Sequence, residues 1–121
     1  MTGQNDDVRP RPMAPRAERV AKLNDRLRKG EGEGRVFITE GVIALGMGAL
    51  LDIMTLVNDF DCFTPDNDPH GEHDFGSFHY RGERLLWKID YYDRSMMHGS
   101  DDPSDPSITC RVLTVMLARE Y

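Results

Sequence analysis

The stretch that decides the fold is Phe75–Tyr92, which reads FGSFHYRGERLLWKIDYY. Its second half, Arg84–Tyr92, alternates between two sets of side chains, as is typical of a half-buried strand. The set that should face the core consists of Leu85, Trp87, Ile89 and Tyr91. Phe75–Arg81 is interpreted as the partner strand, and Gly82-Glu83 suits the turn between the two strands. We therefore predict an antiparallel hairpin.

The segments on either side of the hairpin predict one further strand and two helices. Arg35–Thr39 is rich in β-branched and aromatic residues, which favours a strand. Met47–Phe60 is apolar over so much of its helical surface that we expect it to be the central, buried helix. Asp105-Pro106 is typical of a helix start, so a C-terminal helix is expected up to Tyr121. The expected fold is α+β, with a small three-stranded, mainly antiparallel sheet packed with a central and a C-terminal helix.

The chain before residue 34 has a different composition. Residues 1–15 contain three prolines and almost no large apolar side chains, which predicts a disordered arm. Residues 16–29 place three apolar side chains at helical spacing among six basic residues, which predicts a basic amphipathic helix. The run GEGEG at 30–34 is typical of a flexible linker. We expect 1–15 as the arm, 16–33 as the helix and linker, and 34–121 as an acidic domain.

Charge is unevenly distributed along the 121 residues. Residues 1–33 carry 8 Lys and Arg against 6 Asp and Glu, whereas residues 34–121 carry 7 against 15. An acidic domain repels phosphate, so nucleic-acid binding is disfavoured except through the basic N-terminal arm. The basic helix could bind nucleic acid or an acidic partner, or it could fold back on its own acidic domain.

Composition argues against several classes of protein. No apolar run approaches the ~18 residues that a membrane-spanning helix needs, and the first residues lack the apolar core of a secretory signal. Two cysteines, Cys62 and Cys110, are too few for a disulfide scaffold. They are expected to be buried thiols in a reducing compartment. We therefore expect a cytoplasmic protein that has no membrane association.

The densest polar cluster is the loop 59–74, which contains six acids, two histidines and no Lys or Arg. Imidazole together with carboxylate suits zinc, iron or manganese, so one interpretation is a divalent-metal site made by His70, Glu72, His73 and Asp74. A second is an acid–base site without a metal. A third is a solvated loop whose Asp and Asn side chains form turns. The candidate binding residues here are Asp66, Asp68, His70, Glu72, His73 and Asp74.

A second candidate group lies on the hairpin. The face opposite the expected core places Lys88 and Asp90 side by side, and Tyr92 and Asp93 follow them. With a nearby histidine the group could carry proton transfer, or it could be an exposed ion pair of little energetic weight. No nucleophile with an adjacent base is evident, so no catalytic residue is assigned.

Three blocks of sequence resemble those of a bacterial domain family of unknown function. The blocks are Asn67–Gly76 (NDPHGEHDFG), Trp87–Asp93 (WKIDYYD) and Arg111–Tyr121 (RVLTVMLAREY). The likeness covers roughly 34–121, and the family occurs in small proteins of bacterial chromosomes, plasmids and prophages. The resemblance therefore implies a bacterial cytosolic protein that is often carried on mobile DNA, and it implies no catalytic residue.

Two classes of function follow. The favoured class is a non-enzymatic protein-interaction module, such as a mobile-element accessory or an anti-defence inhibitor, whose acidic domain binds a basic protein surface. The alternative is a metal-binding protein or metal-dependent enzyme centred on the loop His70–Asp74. Whether the chain is an enzyme stays open, and the one cofactor considered is a divalent metal.

Overall fold

The computed structural model describes residues 15–121. It is built from three helical segments and four strands, closed by a single 3-10 turn. In chain order they are α1 Arg16–Arg28, β1 Arg35–Ile38, α2 Glu40–Ile43, α3 Met47–Asn58, β2 Phe75–Tyr80, β3 Glu83–Tyr92, β4 Cys110–Leu117 and the 3-10 turn Ala118–Glu120. Of the expected arm 1–15, all but Pro15 lies outside the described residues.

The four strands form one mixed sheet in the order β1-β4-β3-β2. β2 pairs with β3 and β3 with β4 in the antiparallel sense, whereas β1 runs parallel to β4. The predicted α+β class and the mainly antiparallel pairing are confirmed. The number of strands is not, because the sheet has four strands where three were expected.

The expected C-terminal helix is wrong, since residues 110–117 form β4 in the middle of the sheet. Asp105 starts no helix, and its carboxylate instead closes a local turn by accepting bonds from the backbone N–H and hydroxyl of Ser107 at 2.9 and 2.6 Å. Val112, Val115 and Met116 satisfy a helical spacing, but the run is also apolar on both faces. Such a run with β-branched residues is typical of a central strand buried on both sides.

The hairpin forms as predicted, with its turn shifted by one residue. Tyr80 pairs with Glu83, so the turn residues are Arg81 and Gly82 rather than Gly82-Glu83. Both have positive φ, 50° and 82°. Two left-handed residues give the type I′ turn, whose twist matches that of the flanking strands.

The core lies between one face of the sheet and the helices. It contains the predicted side chains Leu85, Trp87 and Ile89 of β3, together with Ile53 and Val57 of α3. Tyr91 packs against this cluster while partly buried. Helix α1 lies on the same side, where Val20, Ala21 and Leu27 are buried.

Helix α3 is buried less completely than its sequence predicts. Ala49, Ile53 and Val57 recur every four residues and form its buried stripe. Met47 and Leu51 lie on another side of the helix and are 68% and 64% exposed. The expected central helix is therefore buried along one stripe and exposed on another side.

Two expectations from composition meet different outcomes. Both cysteines are free, as expected, but Cys62 is exposed and Cys110 half-buried, so the expected burial of Cys62 is wrong. Within residues 15–121 no helix is both long and apolar enough to cross a membrane.

Gly76→Ala should lower the free energy of unfolding by about 2 kcal/mol, as overpacking a core does. Gly76 is buried in β2, and a Cβ there would overlap the Trp87 indole and lie 2.8 Å from Cζ of Phe60. Urea denaturation followed by tryptophan fluorescence measures the change.

Gly48→Ala is the matched control. Gly48 lies in α3, where an added Cβ meets no atom within 4 Å. The better helix propensity of alanine should raise stability by about 0.5–1 kcal/mol. Equal losses in the two variants, or no loss in Gly76→Ala, would contradict this packing.

Candidate functional site

His73 is the centre of the predicted polar loop. Its imidazole stacks on the Phe63 ring, with ring centroids 3.9 Å apart and planes inclined by 5°. Nδ1 lies 3.0 Å from a carboxylate oxygen of Asp25 in α1, and Nε2 lies 3.8 Å from a carboxylate oxygen of Asp68. Both ring nitrogens therefore face carboxylates, one from the loop and one from α1.

Asp68 stabilises the backbone of the loop 59–74. It is buried, and its carboxylate accepts hydrogen bonds from the backbone N–H groups of Glu72 and His73 at 3.1 and 3.2 Å. His73 adopts a φ of 56°, which is uncommon outside glycine. The carboxylate thus holds the backbone in the tight turn that directs the imidazole towards α1.

Arg28 joins α1 to the rest of this region. Its side chain is only 2% exposed and pairs with Asp25 at 2.7 Å. One terminal nitrogen donates to the carbonyls of Val57 and Phe60 at 3.0 and 2.8 Å. The guanidinium also lies 4.9 Å from the ring centroid of Trp87, which is a cation–π distance.

Glu72 belongs to a second network that ties the loop to the sheet. Its carboxylate accepts from the Tyr91 hydroxyl at 3.2 Å, and its carbonyl accepts from the Asn24 amide at 3.0 Å. The same amide donates to the Tyr91 oxygen at 2.8 Å. Burial raises the pKa of Tyr91 well above its ordinary value, so the hydroxyl stays protonated and can donate.

The remaining loop candidates do not converge with His73. Asp66 and His70 are exposed, and Asp74 is half-buried. In the part of the chain that the structure describes, no three His, Cys, Asp or Glu side chains are grouped so as to hold a metal ion. Metal binding at His70, Glu72, His73 and Asp74 stays a prediction.

Lys88 and Asp90 lie on the sheet face opposite Trp87 and Ile89. Their side chains pair at 2.5 Å and are about one-third exposed. The hydrogen bond to Asp90 raises the pKa of Lys88. Because His73 directs its nitrogens to α1 on the other side of the sheet, the structure does not bring this pair and that histidine together.

Asp93 and Tyr92 mark the end of β3. The Asp93 carboxylate accepts from the Ser95 hydroxyl at 2.6 Å and the Met97 N–H at 3.3 Å. The bond from Ser95 is the main cause that lowers the pKa of Asp93. Asp93 therefore shapes its own loop, and Tyr92, half-buried, ends the strand beside it.

Sequence reasoning missed the contribution of α1, which supplies Asn24, Asp25 and Arg28. For Asn24 a signal existed, because it lies four residues after Val20 and three before Leu27, within the apolar stripe of the helix. A polar residue in such a stripe needs a buried partner. For Asp25 and Arg28 the sequence gives no comparable signal, since charged residues surround the stripe throughout.

The contacts of His73 connect the loop 59–74 to α1. His73, Asp25 and Arg28 line an open cleft of about 800 Å³ together with the exposed Asp59 and Asp61. Within residues 15–121, the imidazole contacts carboxylates and the Phe63 ring. This arrangement clamps α1 onto the loop.

Seven of the ten exposed large apolar side chains of the described residues lie in one stretch of the chain, which we call the apolar segment 36–56. They come from β1, α2, α3 and the link between the two helices. Its exposed members are Val36, Phe37, Ile43, Leu45, Met47, Leu51 and Leu56. Met47 and Leu51 are one helical turn apart on the same side of α3, and β1 occupies an edge of the sheet. Contiguous exposed apolar side chains such as Met47 and Leu51 mark interaction surfaces in folded proteins, whereas Val36 and Phe37 point to opposite faces of β1.

The fold and these surfaces define a small α+β protein with one mixed sheet packed against helices. The chain belongs to a family described as protein of unknown function (DUF3768), whose model matches residues 38–120. The resemblance drawn from the three sequence blocks is thereby confirmed at the level of an uncharacterised family. No curated protein and no solved structure gives a significant match. Helix α1, with Asp25 and Arg28, precedes the matched residues.

Asp25→Ala should lower the free energy of unfolding by about 2 kcal/mol. The substitution leaves the buried Arg28 guanidinium without its carboxylate, and breaking a pair at a buried charge is costly. Urea denaturation measures the loss, and hydrogen exchange should show faster exchange across α1.

Glu18→Ala is the control for Asp25→Ala. It removes one carboxylate from the exposed side of the same helix, so a change within about 0.5 kcal/mol is expected. If Asp25→Ala is no more costly than Glu18→Ala, Arg28 does not depend on Asp25.

Asp74→Asn should remove a loss of stability that occurs as the pH rises. Burial, followed by the Glu72 carboxylate, raises the pKa of Asp74 above its ordinary value of 3.8. The folded state therefore holds this proton more tightly than the unfolded state, and stability falls as the pH rises from 3.8 through the folded-state pKa.

The measurement compares free energies of unfolding of wild type and variant from acidic to neutral pH. Relative to wild type, Asp74→Asn should gain stability as the pH rises through that window. Asp66→Asn, which removes an exposed carboxylate of the same loop, serves as the control. A parallel pH profile for Asp74→Asn and wild type would contradict the raised pKa.

Proposed function

We propose that the protein is a non-enzymatic protein-interaction module whose apolar segment 36–56 binds a basic partner protein. The observation that carries the proposal is the exposure of large apolar side chains in this segment. Phe37, Met47 and Leu51 are 52%, 68% and 64% exposed. Removal of such side chains from water is the main driving force of protein association.

The charge around the segment indicates the chemistry of the partner. From Val36 to Tyr80 the chain has no Lys or Arg and eight Asp and Glu. Glu40 and Asp52 lie within the apolar segment itself and are exposed. A partner with an apolar patch bordered by Lys and Arg would be complementary in both respects.

The edge strand β1 offers a second means of contact. Among the described strands β1 pairs with β4 alone, so one side of its backbone faces away from the sheet. Exposed edges pair readily with an extended segment of another chain. Val36 and Phe37 are on this strand, which supports β1 as part of the contact.

The biological form of the proposal is an accessory protein of mobile DNA that occupies a basic, nucleic-acid-binding surface of a host protein. The acidic composition of residues 34–121 supports it. The contacts of His73 with Asp25 and Asp68 favour a structural role for that histidine, so no specific observation favours the metal-dependent alternative.

The test is quantitative affinity capture from a bacterial lysate with wild type and a double variant, Met47→Asp with Leu51→Asp. Both substitutions are at exposed positions, so the fold should be retained, which circular dichroism checks. We expect capture of a basic protein that is at least about tenfold weaker with the double variant, because each aspartate removes an apolar contact and adds repulsion or desolvation. Raising the salt concentration should release it.

Met97→Asp is the matched control. Met97 is 76% exposed but lies in the loop after β3, outside the apolar segment 36–56. It should capture the partner as wild type does. Equal capture by the double variant, a partner without a basic surface, or self-association that depends on Met47 and Leu51 would each overturn the proposal.

A further inference from the structure

Four arginines line one cavity of this otherwise acidic protein. The cavity measures about 670 Å³ and lies between helix α1, the turn 30–35 and the loop that precedes β4. Its arginines are Arg26, Arg35, Arg94 and Arg111. The formal charge of the whole chain is −6, so four arginines around one cavity are a local reversal of its charge.

Among the described residues, none of these four arginines forms an ion pair with a carboxylate. The arginine ion pairs among residues 15–121 involve Arg16, Arg28, Arg81 and Arg119. Around the cavity, by contrast, Arg94 donates Nε to the Ser107 carbonyl at 3.1 Å, and Arg26 donates to the Glu31 carbonyl at 3.3 Å. Such bonds orient the side chains and leave the positive charges unneutralised.

Arg111 is the most informative of the four because it is only 3% exposed. Its Nε donates to the Asn24 side-chain oxygen at 2.9 Å, and one terminal nitrogen donates to the Pro103 carbonyl. Its other terminal nitrogen has no hydrogen bond to any residue in the described range. Burial lowers the pKa of Arg111, and the Glu72 carboxylate offsets this only in part; a bound anion in the cavity would offset more of the cost of burying the charge.

The contacts of Arg111 also fix it in place. Asn24 holds it from α1, and the Tyr91 ring lies 5.3 Å from the guanidinium. An arginine held on two sides is pre-organised for a ligand, so little side-chain entropy is lost on binding.

The composition of the lining indicates the ligand. Glu31 and Glu33 also line the cavity, which leaves a formal excess of two positive charges from its arginines. Planar guanidinium groups match phosphate oxygens in bidentate geometry. The volume lies within the roughly 300–1,000 Å³ of small-molecule sites, and Leu23 and Pro106 add apolar lining.

We infer that this cavity binds a small organic phosphate, with Arg35, Arg94 and Arg111 as its phosphate ligands. Arg94 and Arg111 lie within the residues matched by the family, whereas Arg26 and Arg35 precede them. The site adjoins the apolar segment 36–56, since Arg35 directly precedes Val36 in β1, but it shares no residue with that segment.

Isothermal titration calorimetry on the full chain tests the inference, with ATP, inorganic pyrophosphate and adenosine as probes. EDTA is present throughout, so that a metal held by the acidic loops cannot mediate binding. ATP and pyrophosphate should bind and raise the melting temperature, whereas uncharged adenosine should not. Arg35→Gln and Arg94→Gln should each weaken ATP binding about tenfold or more, as expected for loss of a charge-assisted hydrogen bond.

Arg84→Gln is the matched control. Arg84 is an exposed arginine of β3 that donates to the Ser77 hydroxyl and does not line the cavity. It removes the same charge and should leave ATP binding unchanged. The double variant Met47→Asp with Leu51→Asp should also bind ATP normally, which separates this site from the apolar segment.

Three results would overturn the inference. They are no binding of either phosphate probe, equal binding of adenosine, and an equal loss of affinity in Arg84→Gln and Arg35→Gln. The last would show that the net charge of the protein, rather than this cavity, governs the binding.

Discussion

The buried guanidinium of Arg28 is the contact on which the arrangement of the helical layer depends. It belongs to α1, yet it donates to carbonyls at the end of α3 and lies against the Trp87 ring in the core. Asp25 neutralises it and at the same time holds the imidazole of His73. The Arg28 guanidinium therefore connects α1 with α3 and the sheet, and through Asp25 with the acidic loop. The helix that carries it lies outside the residues that define the family.

The hairpin was predictable because its alternation has one interpretation. Leu85, Trp87 and Ile89 recur with a period of two, and only a strand places them on one face. β4 was not predictable in this way. Its apolar residues satisfy the helical and the extended period equally, and the preceding Asp-Pro favoured the helix. In the structure these residues form a strand, and both faces of residues 111–117 are buried.

The candidate site was likewise predicted only in part. The loop 59–74 was correctly singled out as a dense polar cluster, and Asp68, Glu72 and His73 do make specific contacts there. Their partners Asn24 and Asp25 are 48 residues away in sequence and reach them only after α1 docks. No local pattern encodes such a contact. The unpaired arginines are equally hidden in the sequence, because three segments far apart in the chain supply them.

The position of β4 has a consequence for how the chain folds. Among the described strands β1 pairs with β4 alone, and the pairing joins Arg35 to Val112 across more than half of the chain. During synthesis β1 is therefore made long before β4. Phe37 and its neighbours stay unpaired until then. Contacts so distant in sequence form slowly. The nascent chain is then most prone to aggregate before β4 appears, and a chaperone that shields β1 in that interval would favour correct folding.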